Sequence, residues 1–239
     1  ISMSDVTRRN VMAVTAGVSA AAMFGGIPFS RPAAAQAAAS APGGQAPGWY
    51  RYKVGDIEVT AVTDGINRFK FPDGFVANVK RDDVNKALTA AFLEPDQMAI
   101  PYTPIVVRNG GKTTVIDTGT GEASFESSKG SAGQFTRNLA AAGIDRKDVS
   151  TVIISHFHGD HVNGLLMPDG SLTYANAEIL VPDAEYKFWM DDGEMSKAAG
   201  NQRMEGLFKN NRRVFGNENV KKQVKPYAAG KELVPGVTA

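Results

Sequence analysis

The sequence predicts a layered fold of the α+β / α/β class, a sheet covered by helices, and three observations carry that expectation. Two arms, Ile105–Val107 and Thr113–Ile116, flank the turn Asn109-Gly110-Gly111 and are too uniformly apolar for an exposed edge. A helical stretch over 131–142 precedes the β-branched run Val152 to Ile154, giving strand-helix-strand order. That last strand runs straight into His156-Phe157-His158-Gly159-Asp160-His161, at the C-terminal end of a strand, where layered α/β folds place their sites. With 239 residues and 43% hydrophobic content, the chain has material for one sizeable domain.

The N-terminus has to be set aside before the fold is read. Thr7-Arg8-Arg9-Asn10 leads into an uncharged Ala/Gly-rich run and the alanines of 33–39, a pattern that looks like a bacterial twin-arginine export signal over residues 1–38. Glycines, Thr15, Ser19 and Pro28 make the same run a poor membrane span. Residues 39–47 read as a linker, and the domain occupies 48–239. Setting aside 1–47 removes Arg8, Arg9, Arg31 and Asp5, which turns a formal net charge of +1 into −1. That balance offers no basic face for nucleic acid or an anionic membrane.

Within the domain, alternation over Tyr50–Val54 and Ile57–Val62 around Gly55-Asp56 predicts a hairpin, closed by Asp64-Gly65. Residues 66–82 read as a loop. Asp83 is the expected cap of a helix carrying Val84, Leu88, Ala91 and Phe92, ended by Pro95. The helix over 131–142 carries Phe135 and Leu139 one turn apart and stops at Gly143. Val162 to Leu166 is expected to pack over the site, and Pro168-Asp169-Gly170 to turn. Ala177–Val181 is a further strand, Asp183 the expected cap of a helix with Tyr186, Trp189 and Met190, and Glu205–Lys209 part of another. The stretch Lys221–Lys231 reads as a basic loop, and Leu233–Val237 as the start of a strand.

The chemistry is concentrated in the motif. The spacing His-x-His-x-Asp-His puts four metal-ligand side chains, including every histidine of the chain, within six residues. In extended backbone His156 and His158 face the same way, and Gly159 lets the chain turn at Asp160 and His161. Imidazole suits zinc and other late first-row metals, and carboxylate suits a second or mixed site. The chain has no cysteine, so any metal is held by nitrogen and oxygen. Asp117, in Asp117-Thr118-Gly119, reads as a loop-shaping carboxylate near the centre rather than a ligand.

Asp117-Thr118-Gly119, the helix ending at Gly143-Ile144, the strand Val152–Ser155 and the histidine motif resemble the metallo-β-lactamase superfamily. The resemblance covers 48–239. Ala46–Tyr50, Gly55–Ala61 and Asp183–Trp189 look like secreted members related to parathion hydrolases and lactonases. It implies an αβ/βα sandwich with two divalent metal ions, zinc first and iron, manganese or cobalt as alternatives. His156 and His158 would hold one ion and Asp160 and His161 the other, with Asp160 also the catalytic carboxylate. Metal-activated hydroxide would attack an ester, lactone or organophosphate. Phe125, Trp189 and Leu207 fall near pocket positions of that group.

The later histidines with which the family completes its centre have no counterpart in this sequence, so the chain reads as part of a longer protein with the C-terminal part of the sandwich missing. The alternatives are an iron-dependent oxidoreductase on the same fold and an inactive metal-binding fragment. A small-molecule substrate and the twin-arginine export machinery are the expected partners, in the periplasm or outside the cell. No nucleic acid and no stable membrane anchor is expected, and a homodimer is left open.

Overall fold

The computed structural model describes residues 46–239, so the expected export signal and nearly all of the linker lie outside the described residues. β1 (Trp49–Val54) and β2 (Ile57–Val62) form the first hairpin, with Val54 opposite Ile57. Residues 66–82 are not all loop: β3 (Gly65–Lys70) pairs antiparallel with β4 (Gln97–Tyr102) as a separate two-stranded ribbon. The alternation in Ile66–Lys70 is weak, and the partner lies some thirty residues on, so nothing local announces the strand.

Between the two comes α1 (Arg81–Ala90), which starts earlier than Asp83 and has no side-chain cap. Arg81 fixes its start instead, bonding Asp73, Asp96 and the Phe71 carbonyl at 2.7–2.8 Å. No residue of α1 is buried, and Phe92 lies beyond its end, almost fully exposed in the left-handed region.

β5 (Ile105–Asn109) and β6 (Lys112–Ile116) form the expected apolar hairpin, with β5 docked on β2. After α2 (Ala123–Ser127) and α3 (Phe135–Ala141), Gly143 takes φ +74° at the end of the helix, a conformation that costs glycine little. β7 (Val149–Ile153) then enters parallel to β6, and the motif begins α4 (Gly159–Val162). β8 (Glu178–Pro182) and α5 (Asp183–Met190) follow. Asp183 is the first helical residue rather than the cap, because Pro182 precedes it and its carboxylate is taken by Lys187 at 2.6 Å.

α6 (Asp192–Lys197) leads to α7 (Gln202–Phe215), longer than expected and capped by Asn201. The segment expected to be a basic loop holds the end of α8 (Glu218–Gln223) and all of β9 (Val224–Tyr227), which pairs parallel with β8. Pro226 is tolerated there because β9 ends the sheet order. β10 (Glu232–Val234) and β11 (Val237–Thr238) close as a small hairpin.

The result is a seven-stranded mixed sheet in the order β1-β2-β5-β6-β7-β8-β9, antiparallel in its first part and parallel from β6 to β9. Val62, Val106, Val115, Val152, Ile179 and Val181 share one cluster with Phe135, Leu139, Trp189, Phe208 and Phe215 from the helices. This is the mixed α/β architecture the sequence predicts. No helix among the described residues is long and apolar enough to cross a membrane.

One buried carboxylate ties the antiparallel and parallel parts together. Asp64, at the end of β2, accepts from the Phe135 amide at the start of α3, and from the amide and hydroxyl of Thr120, at 2.8–3.0 Å. It is wholly buried. Asp64→Ala leaves three donors without their acceptor and is expected to cost on the order of 3 kcal/mol. A urea unfolding midpoint unchanged from the wild type would contradict this role.

Candidate metal centre

The site is built at the end of β7. Ile154 still bonds the Leu180 carbonyl, and Tyr227 of β9 donates to the Ile154 carbonyl at 2.9 Å, so the sheet extends to the edge of the motif. Beyond it burial alternates. Phe157 is fully buried and stacks on Phe215 with ring centroids 4.0 Å apart, whereas Ser155 and His158 are exposed and His156 is half-buried. Driving Phe157 into the core turns His156 and His158 outward together.

Two backbone clamps bring the neighbouring loop against the motif. The Thr118 amide and hydroxyl both donate to the His161 carbonyl, at 2.9 and 2.7 Å. Gly164 packs so closely on the Thr118 carbonyl that a Cβ there would collide with it. Asp117, itself at φ +60°, is thereby placed under the histidines. Its carboxylate accepts from the Ser155 amide and hydroxyl and meets His161 Nδ1, each at 2.8 Å.

The four expected ligands come together. His156 Nε2 lies 3.1 Å from His158 Nδ1, the His156 and His161 ring centroids are 3.9 Å apart, and His161 Nε2 is 3.3 Å from Asp160 Oδ2. Among the described residues, however, no group of three or more His, Asp or Glu is arranged to hold a metal ion. The donors point at one another: His156 at His158, and His161 at Asp117 and Asp160.

The electrostatics follow from these contacts. Burial opposes charge on His161, but hydrogen bonds to Asp117 and Asp160 outweigh it and raise its pKa to about 9. Burial also works against the Asp160 charge, and the His161 hydrogen bond overcomes it, so Asp160 is held below the usual carboxylate range. His156 is pushed down, first by burial and then by His161 and His158, which leaves it a neutral ligand-type imidazole. Three imidazoles beside two carboxylates fit a late first-row divalent ion in kind.

Phe125, Trp189 and Leu207 are the expected pocket residues. Trp189 is 6% exposed and packs on Phe208 in the core, with its indole nitrogen bonded to Glu185. Leu207 is a partly buried residue packed against that core, and the Phe125 ring lies under the Arg137 guanidinium. A cavity of about 620 Å³ lined by Glu122, Thr136, Arg137, Leu139, Ile144 and Met167 includes none of the histidines.

Sequence reasoning missed Tyr102, Glu185 and Tyr227. Burial raises the Tyr102 pKa, a bond with Asn67 works against that, and the Asp160 and Asp64 charges raise it further, which places the phenol within reach of the site's field. The aromatic-rich run Asp183–Trp189 was the one available signal for Glu185. Tyr102 and Tyr227 come from strands that composition did not reveal.

Residues 101–227, more than half of the chain, match the metallo-beta-lactamase superfamily. The chain belongs to that superfamily. No curated protein matches it. Among solved structures, hydrolase AbOPH of the beta lactamase superfamily is similar at 26% identity and a TM-score of 0.70, over 80% of this chain and 64% of that one. AidC, described as a dizinc quorum-quenching lactonase in complex with a product, N-hexnoyl-L-homoserine, shares 22% identity at a TM-score of 0.69, over 79% and 64%. A probable metal-dependent hydrolase from Staphylococcus aureus shares 22% identity at 0.59, over 77% and 64%. The chain thus spans 64% of the length of each of these relatives.

The raised His161 pKa gives a pH signature of the metal-free protein. A folded pKa of about 9 lies above the ordinary histidine value of 6.5, so the stabilisation is present in full below about pH 6.5 and is lost as pH rises toward 9. Asp117→Asn removes the partner charge and is expected to bring the His161 midpoint down toward its ordinary value in an NMR titration with chelator present. An unmoved midpoint would show that Asp117 does not hold the proton.

Proposed function

We propose that the protein is a metal-dependent hydrolase of ester, lactone or organophosphate bonds. One observation carries the reading: His156, His158, Asp160 and His161 converge at the end of β7, with Asp117 behind His161, in a chain of the metallo-β-lactamase superfamily. His156 and His158 would hold one divalent ion, and Asp160 and His161 a second, zinc being the metal named for the dizinc relative. Bound metal would lower the pKa of water toward neutrality and polarise the electrophilic oxygen.

The chain's own residues prepare that chemistry. Asp117 fixes His161 through Nδ1, which leaves Nε2 as the ligand nitrogen. Burial keeps His156 neutral. Asp160 stays ionised beside them, as a ligand and as the carboxylate able to accept a proton.

The activity is expected of the whole protein. Turnover of phenyl acetate, a γ-lactone or an aryl phosphotriester should disappear on chelation, return with added zinc, and fall at least a hundredfold in His158→Ala. Metal-loaded protein inert toward all three substrate classes would sink the proposal.

Arg8-Arg9 ahead of an uncharged, alanine-rich run supports export by the twin-arginine route to the periplasm. Replacing both arginines by lysine should leave the protein in the cytoplasmic fraction. Unchanged periplasmic recovery would count against that route.

A further inference from the structure

We propose that Glu185 is a positioning residue for the histidine motif: one carboxylate oxygen, held by Trp189, grips the Phe157 amide and so sets the direction of His156 and His158. The consequence for metal binding rests on the proposed function above. The positioning itself does not.

From Ser155 to His158 the chain has left β7, and the ladder no longer holds it. Two carboxylates take over. Asp117 accepts the Ser155 amide from the loop after β6, and Glu185 of α5 accepts the Phe157 amide at 2.9 Å. The grip on Phe157 acts between the two histidines. Rotation of the backbone there redirects both rings, because residues two apart in extended chain share a side.

Glu185 is itself anchored. The oxygen that accepts the Phe157 amide, Oε2, also accepts the Trp189 indole N–H at 2.9 Å, one helical turn further along α5. Trp189 is wedged between Phe188 and Phe208, with centroids 4.9 and 4.7 Å away. Its core position therefore connects to the site through the carboxylate. Phe157 receives the same support from its ring, which meets Phe215 of α7 and Tyr186 of α5. Helix α5 thus contacts the motif twice, at the side chain and at the amide of one residue.

The geometry separates reach from charge. Oε1 takes no part in either bond, so Glu185→Gln can present its carbonyl oxygen to both donors. Glu185→Asp keeps the charge but falls one methylene short. The 239-residue chain and both variants would be titrated with zinc against a chromophoric chelator, with histidine ring NMR recorded on the metal-free proteins and circular dichroism confirming the fold.

Glu185→Gln is expected to bind zinc within about threefold of the wild type. Glu185→Asp should bind about tenfold more weakly, the scale on which groups behind metal ligands act, with shifted ring signals for His156 and His158. Equal binding and unmoved rings in Glu185→Asp would overturn the proposal, as would an equal or larger loss in Glu185→Gln. If the wild-type 239-residue chain binds no zinc, the metal-free ring signals alone decide the role of Glu185, and unmoved rings in Glu185→Asp overturn it; the functional reading stands or falls separately, on turnover by the whole protein.

Discussion

The burial of one aromatic ring governs the geometry of this site. Phe157 sits between two histidines and is the residue of that turn that belongs to the core. Its stacking on Phe215 removes a large apolar area from water and contributes about 0.5–1.5 kcal/mol beyond that area. Because neighbouring side chains in extended backbone point to opposite sides, the same burial that satisfies Phe157 presents His156 and His158 together. Apolar packing thus turns both histidines toward the same side.

Around that pin the polar framework is made of carboxylates with distinct tasks. Asp64 is buried and structural, tying the end of β2 to the start of α3 and to the loop that carries Asp117. Asp117 stands behind His161 and holds the Ser155 amide. Asp160 faces the far nitrogen of His161. The carboxylates crowd negative charge around a half-buried imidazole, and the imidazole responds by keeping its proton well above its ordinary pKa.

The backbone shows the same economy. Asp117 accepts a left-handed conformation, which aspartate tolerates better than bulkier residues. Thr118 spends two donors on one carbonyl of the motif. Gly164 lets the two loops meet without a side chain between them. Each feature is small, and each brings the loop after β6 against the turn after β7, where the parallel pairing of those strands has already placed their C-terminal ends side by side.

The sequence alone determined the parts whose causes are local. The apolar hairpin of β5 and β6, the helix stopped by Gly143 and the strand before the motif follow from alternation and turn chemistry within a few residues. Tertiary structure decided what depends on partners far along the chain. β3 exists because β4 pairs with it, and β9 because β8 offers an open edge. Arg81, through Asp73 and Asp96, sets where α1 begins in place of Asp83. The Trp189 indole meets Glu185, and Glu185 meets the Phe157 amide, because folding laid α5 beside the motif. Hydrogen bonds between residues 28 or 71 positions apart leave no periodic trace in a sequence. The spacing of the motif is local, and only the fold could bring the Phe157 amide to Glu185 and the Phe135 amide to Asp64.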